Sequence, residues 1–371
     1  MQTPPYRLIP ALAALLMIAA CAGIPLERES RPTESDIRDF IASAGLTDAR
    51  GRFREVFCAV LEEHGPELPD YRPCEEALTL VAPEGGATGK PVPLGNTQAN
   101  YLVLLVPGLG WDCFEEWLDL SFSVPRHVAN FGYEMRTIPV DGLSSTANNA
   151  RMIRDYIAAL PARDAGRPLI LVGYSKGTPD ILEAVTEYPE EVRNRTAAVV
   201  SLAGSVLGSP LADNASQAQA NMLTMVPGSA CEKEQGDNDA VASLRTDLRR
   251  QWLEDHPLPA NIRYYSVVTY PDPDRISRAL RKSFLLLGQQ DDRNDTQIII
   301  FDQIVPGSTL TALVNADHWA IAVPVSREHP LLGKTLVDHN DYPREALTEA
   351  LLRFVEEDLA RAQQTAVGDK P

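Results

Sequence analysis

The sequence predicts an α/β fold built on a mostly parallel sheet, and three observations predict it. From residue 101 onward, short apolar runs alternate with stretches of helical periodicity, the rhythm of strand-helix-strand units. The run Leu169-Ile170-Leu171-Val172 carries no polar interruption, as befits a strand covered on both faces. Directly after it stands Gly173-Tyr174-Ser175-Lys176-Gly177, a G-x-S-x-G stretch of the kind in which a strand turns sharply into a helix and lifts a serine hydroxyl above the sheet edge.

Composition bounds what such a chain can do. Its 371 residues suffice for one large domain with a small extension, and 44% hydrophobic with 23% charged residues is ordinary for a globular protein. A formal net charge of −17 leaves no basic stripe to neutralise phosphates. That argues against a nucleic-acid partner and favours repulsion from anionic membrane surfaces.

Residues 1–20 read as a targeting segment. Arg7 gives a positive start, 8–20 is an apolar stretch too short to span a bilayer, and Ile18-Ala19-Ala20-Cys21 closes it with small residues. This end resembles the lipobox of bacterial lipoproteins. The resemblance implies lipidation of Cys21, a lipid anchor in the cell envelope and, with Ala22 next in place of aspartate, an outer-membrane address.

Residues 21–98 follow as a polar tether and a helical N-terminal extension. Thr33-Glu34-Ser35-Asp36 can start a helix running through residue 41. A second is expected over 47–63 with Phe53, Val56, Phe57, Val60 and Leu61 on one face, and a short third over 74–80. Four cysteines remain after Cys21, namely Cys58, Cys74, Cys113 and Cys231, and an even number in an exported chain favours disulfides. Cys58 with Cys74 and Cys113 with Cys231 is the pairing expected, because the first two share one helical region; free thiols are the alternative. No C-x-x-C or histidine cluster points to a metal, and no cofactor is expected.

The main domain is bounded at 99–364. It opens with a strand over 101–106, a helix over 115–131 interrupted at Pro125, a strand over 133–140 and a helix over 146–160. The serine's strand comes next, then a helix striped by Ile181, Leu182 and Val185, and a strand over 196–202. Residues 206–259 break the rhythm, with helical stretches at 213–225 and 239–254. An insertion there would form a cap above the C-terminal strand ends, with Met222, Leu223, Met225 and Val226 as apolar lining, or else a packed helical hairpin with those residues in its core. Beyond it come a strand over 263–270, helix over 274–288, a strand-like stretch over 297–305 and a last strand over 309–315. A helix over 344–362, with Leu347, Leu351, Leu352, Phe354 and Val355 facing the sheet, completes the domain, and 365–371 reads as a disordered tail.

A serine hydroxyl is a weak nucleophile. It needs a base for its proton, a group that orients the base, and donors for the oxyanion that forms. Of the six histidines, His318 alone directly follows a late strand, which puts it above the same sheet edge as Ser175; His329 is the second choice. For the acid, Asp295 and Asp302 compete. The oxyanion donors expected are the backbone N–H of Lys176 and that of Leu109, in the loop Val106-Pro107-Gly108-Leu109-Gly110-Trp111; the Lys176 side chain is expected in solvent.

These residues resemble those of the α/β-hydrolases, and most closely the secreted bacterial true lipases. Gly173 with Ser175 and Gly177, the stretch Arg263-Tyr264-Tyr265-Ser266, and Asn294-Asp295 with His318 carry the resemblance, which covers about 100–360 at the level of fold. Asn294-Asp295 is similar to the N-D-G that bears the acid in those lipases and tips the choice toward Asp295, although Asp302-Gln303-Ile304-Val305-Pro306 resembles the stretch around the acid in many hydrolases. Tyr174 stands where those lipases have histidine, Pro107-Gly108 where they have His-Gly, and Ala320 where they have a calcium-binding aspartate, so neither calcium nor triacylglycerol is carried over. The resemblance implies a serine hydrolase acting on a small-molecule or lipid ester. A peptidase or acyltransferase using the same residues, and an inactive lipoprotein that binds an envelope partner, are the rival readings.

Overall fold

The computed structural model describes residues 32–111, 123–215 and 236–368. The targeting segment, Cys21, Cys113, Cys231 and the cap residues Met222, Leu223, Met225 and Val226 lie outside the described residues. Strands are β1 (Thr47–Asp48), β2 (Leu102–Val106), β3 (Glu134–Thr137), β4 (Leu169–Tyr174), β5 (Thr196–Leu202), β6 (Arg263–Thr269) and β7 (Thr309–Val314). The principal helices are α1 (Glu34–Ser43), α2 (Arg50–Glu63), α3 (Ser123–Ala129), α4 (Thr146–Ala158), α5 (Gly177–Glu187), α6 (Thr246–Asp255), α7 (Arg281–Leu287) and α8 (Arg344–Gly368).

The strands lie in the order β1-β7-β6-β5-β4-β2-β3, and each adjacent pair is parallel. Period-two alternation sorts their side chains between two cores. Ile170, Val172, Val200, Tyr265, Val267, Ala312 and Val314 face α2 and α8, whose Phe53, Phe57, Leu347, Leu351 and Phe354 are buried against them. Leu102, Leu104, Leu169, Leu171 and Val199 face the opposite way, onto Ile153 and Ile157 of α4 and Ile181, Leu182 and Val185 of α5. Helices on both faces explain why β4 is buried along its whole length, as its uninterrupted apolar run foretold. Because all strands run the same way, their C-terminal ends gather the loops after β2, β4, β6 and β7 along one edge.

Several elements differ from expectation, each for a physical reason. The stretch 297–305 is not a strand: one bridge joins Asn294 to Ile299, and Ile300–Gln303 forms a 3-10 turn. The Asp295 carboxylate takes the N–H groups of Gln297 and Ile298, so these donors are not offered to a neighbouring strand. Helix α2 begins at Arg50, because Thr47–Asp48 pairs with Thr309 and Leu310 as the outermost strand. The third N-terminal helix is a single turn, Cys74–Ala77, and the second helical stretch of the insertion divides into the turn Ala242–Leu244 and α6. Helix α8 runs on to Gly368, past the expected start of the tail, through the good helix formers Ala360, Arg361, Ala362, Gln363 and Gln364.

Cys58 of α2 is disulfide-bonded to Cys74, with Cα atoms 5.2 Å apart. At the opposite sheet edge, the β3 residues Glu134 and Arg136 are half-buried in an ionic cluster with Asp164 and Arg167.

Candidate active site

Ser175 occupies the bend between β4 and α5 with φ +52°, a left-handed conformation that only close packing on every side sustains in a non-glycine residue. The flanking glycines make the bend possible. A Cβ on Gly177 would stand 2.1 Å from the Val106 carbonyl oxygen, and one on Gly173 would stand 2.6 Å from the Thr178 nitrogen and Cα. Backbone bonds from the Ser175 N–H to the Leu202 carbonyl (3.0 Å) and from Thr178 and Ser205 to the Ser175 carbonyl (3.1 Å each) hold the serine in place.

The loop after β7 delivers His318. Its Nε2 is 2.9 Å from Ser175 Oγ, and its Nδ1 is 2.7 Å from Asp295 Oδ2. Asp295 is fully buried and faces donors on both oxygens: the Gln297 and Ile298 N–H groups on Oδ1, and the Thr269 hydroxyl (2.5 Å) beside His318 on Oδ2. A carboxylate so surrounded acts as an acceptor, which places the imidazole proton on Nδ1 and leaves the Nε2 lone pair for the serine hydroxyl. The three side chains therefore form one hydrogen-bonded line, an arrangement able to move the serine proton onto the imidazole while the carboxylate steadies the resulting cation.

Asp302, the competing aspartate, is not brought to this line. It lies in the Ile300–Gln303 turn and pairs with Arg250 of α6 at 2.9 Å. Burial pushes its carboxyl up to about 6. His329 is the C-cap of the turn Val325–Glu328, and the imidazole on Ser175 Oγ is that of His318.

The Val106-Pro107-Gly108-Leu109 loop runs alongside the serine, since a Cβ on Gly108 would stand 3.0 Å from Ser175 Cβ. The N–H groups of Leu109 and Lys176 have no hydrogen-bond acceptor among the described residues. Lys176 is also the N-cap residue of α5, at the end of the helix where its dipole favours negative charge.

The Lys176 side chain is not in solvent. Only 1% exposed, it forms an ion pair with the fully buried Asp180, with Nζ 2.8 and 3.0 Å from the two carboxylate oxygens. The opposite charges four residues apart on a helix were the available signal for this pair. Three further supports also escaped the sequence reading. Thr269 ends β6 with its hydroxyl on Asp295, the Tyr174 hydroxyl bonds the His318 carbonyl, and buried Asp317 accepts the N–H groups of Ser277, Trp319 and Ala320. Burial raises the Asp317 carboxyl above its ordinary range despite those bonds.

No protein-family model and no curated protein sequence matches the chain. Solved structures do. A carboxyl esterase of metagenomic origin is 36% identical, with a TM-score of 0.78 over 94% of this chain and 99% of that one. A lipase from Staphylococcus hyicus is 11% identical, with a TM-score of 0.53 over 73% of this chain and 99% of its own, a likeness of fold alone. With the all-parallel sheet, the serine bend after β4 and near-complete coverage of the esterase, the chain belongs to the α/β-hydrolase family that includes bacterial carboxyl esterases and lipases.

Proposed function

We propose that the protein is a serine hydrolase that cleaves carboxylic esters through an acyl-enzyme on Ser175. The observation that carries this reading is the unbroken line from Ser175 Oγ through His318 to Asp295, set beside the N–H groups of Leu109 and Lys176, which have no acceptor among the described residues. The 36% identity to a carboxyl esterase supports an ester as the substrate.

In the proposed reaction Ser175 Oγ attacks the ester carbonyl as its proton passes to His318 Nε2, and the oxyanion takes hydrogen bonds from the Leu109 and Lys176 N–H groups. The alkoxide leaves with the proton from Nε2. Water, deprotonated by the same nitrogen, then attacks the acyl-enzyme and releases the acid and free serine. Asp295 holds the Nδ1 proton throughout and stabilises the imidazolium.

A fluorophosphonate probe is expected to label the wild type at Ser175 and to leave Ser175→Ala unlabelled, with p-nitrophenyl ester turnover lost in parallel. Equal labelling of both would remove the assignment. We also propose that Cys21 is lipidated and anchors the enzyme in the envelope, on the strength of Ile18-Ala19-Ala20-Cys21 after an apolar stretch. Cys21→Ala should then leave the membrane fraction, and its retention there would refute the anchor.

A further inference from the structure

Two ion pairs are buried along one face of α5, directly behind the serine bend. Lys176 pairs with Asp180, and one turn further Glu183 pairs with Arg249 of α6 at 2.6 Å. Helix α4 closes the stripe: Asn149 Nδ2 donates to Asp180 Oδ2 at 2.8 Å and to the Asp141 carbonyl at 2.9 Å, and the Thr146 hydroxyl donates to Glu183 at 2.5 Å. Charges at 176, 180 and 183 recur at helical spacing, so they share the face that packs on α4.

Stability alone does not account for the first pair. Taking a lysine and an aspartate out of water costs about as much as their attraction returns, and two apolar residues of similar volume commonly do as well or better. Apolar packing lacks direction, however, whereas an ammonium bonded to both oxygens of a carboxylate that is itself bonded by Asn149 fixes where the lysine chain runs. The peptide joining Ser175 to Lys176 is held at its carbonyl by the Thr178 and Ser205 N–H groups, and the ion pair adds a restraint at its N–H end. Ser175 sits in a disfavoured left-handed conformation, and the Lys176 N–H is held by no acceptor among the described residues.

We propose that the Lys176 side chain, pinned by Asp180, is a positioning residue for its own backbone N–H, holding that donor in line with the oxyanion formed on Ser175. This rests on the reading of Ser175 as the nucleophile. Lys176 touches no substrate through its side chain; it acts by adding to the restraint that the two hydrogen bonds on the Ser175 carbonyl place on the peptide it belongs to. The link is a hydrogen-bonded one, so an amide at position 180 keeps one of the two acceptors for Nζ and an apolar residue removes both.

Three variants of the full chain test this: Asp180→Asn keeps an acceptor for Nζ, Asp180→Leu removes it, and Lys176→Met/Asp180→Leu replaces the pair by apolar neighbours that need no partner. Asp180→Asn is expected to keep kcat within about threefold of wild type, while the other two lose about tenfold or more in kcat with KM little changed. Affinity for a trifluoromethyl ketone, which forms a tetrahedral adduct with the serine, should fall with kcat, and the melting temperature of the double variant should match or exceed that of the wild type. A double variant with wild-type kcat and ketone affinity overturns the proposal, as does an Asp180→Asn that falls as far as Asp180→Leu. If fluorophosphonate does not label wild-type Ser175, the nucleophile assignment fails instead, whatever the position 180 variants do.

Discussion

The Tyr174 hydroxyl donates a 2.7 Å hydrogen bond to the carbonyl of His318, so the residue just before the serine grips the backbone of the residue whose imidazole meets the serine hydroxyl. Their rings lie 5.4 Å apart, and the Tyr174 ring also borders Gly108 of the loop beside the serine. Burial keeps this hydroxyl protonated far above its ordinary range, so it remains a donor at every working pH. In the lipases that the sequence resembles, a histidine stands at this position.

Tyr174→Phe keeps the ring and removes the grip. A buried carbonyl left without its donor costs about 1–3 kcal/mol, to be read from the urea midpoint. Looser placement of His318 should lower kcat several-fold with KM little changed. An unaltered kcat would show that the loop after β7 needs no help from Tyr174.

The two aspartates separate by partner, and the proposed mechanism gives them different functions. Asp295→Asn can no longer hold the Nδ1 proton of His318 and should reduce kcat by about 10⁴-fold, the loss typical when the imidazole takes the wrong tautomer. Asp302→Asn, which bonds Arg250 and not His318, should keep kcat within about threefold of wild type. Steady-state kinetics on a p-nitrophenyl ester decide between them, and reversed effects would exchange the two roles.

Asp302 gives a pH signature in stability. Burial raises its folded-state value from 3.8 to about 6, so the folded protein binds this proton more tightly than the unfolded chain does. Its contribution is therefore greatest at low pH, declines as pH rises between those two values, and stays reduced above them. A difference of that size corresponds to roughly 3 kcal/mol at most. Asp302→Asn can still accept from Arg250 without a charge to bury, and should raise the denaturant midpoint at neutral pH but not near pH 4. An equal gain at both would sink this account.

What the sequence disclosed follows from how local each signal is. The β4 run, the glycines around Ser175 and the stripe of α5 are written within about twenty contiguous residues, and the structure has all of them as read. His318 was legible from its place after β7. The stretch after Asp295 misled because Ile298, Ile300 and Ile304 fall two or four residues apart, the strand period, while their burial comes from packing around a side-chain-capped turn. Lys176 misled because a lone lysine is ordinarily solvated, and only the contacts of α4 with α5 reveal that its face of the helix is covered. Strand β1 had no local signal at all: its two residues find their partners at Thr309 and Leu310, near the other end of the chain.

The sheet's two margins carry a consequence for self-association. On one side the terminal strand is only Thr47–Asp48, too brief to template a partner, and on the other β3 presents Glu134 and Arg136 already committed to Asp164 and Arg167. Among the described residues neither rim offers the long, flat, uncharged ladder on which a second chain could add a strand. Molecules of this protein brought together at high concentration would thus be disfavoured from growing into one another edge to edge.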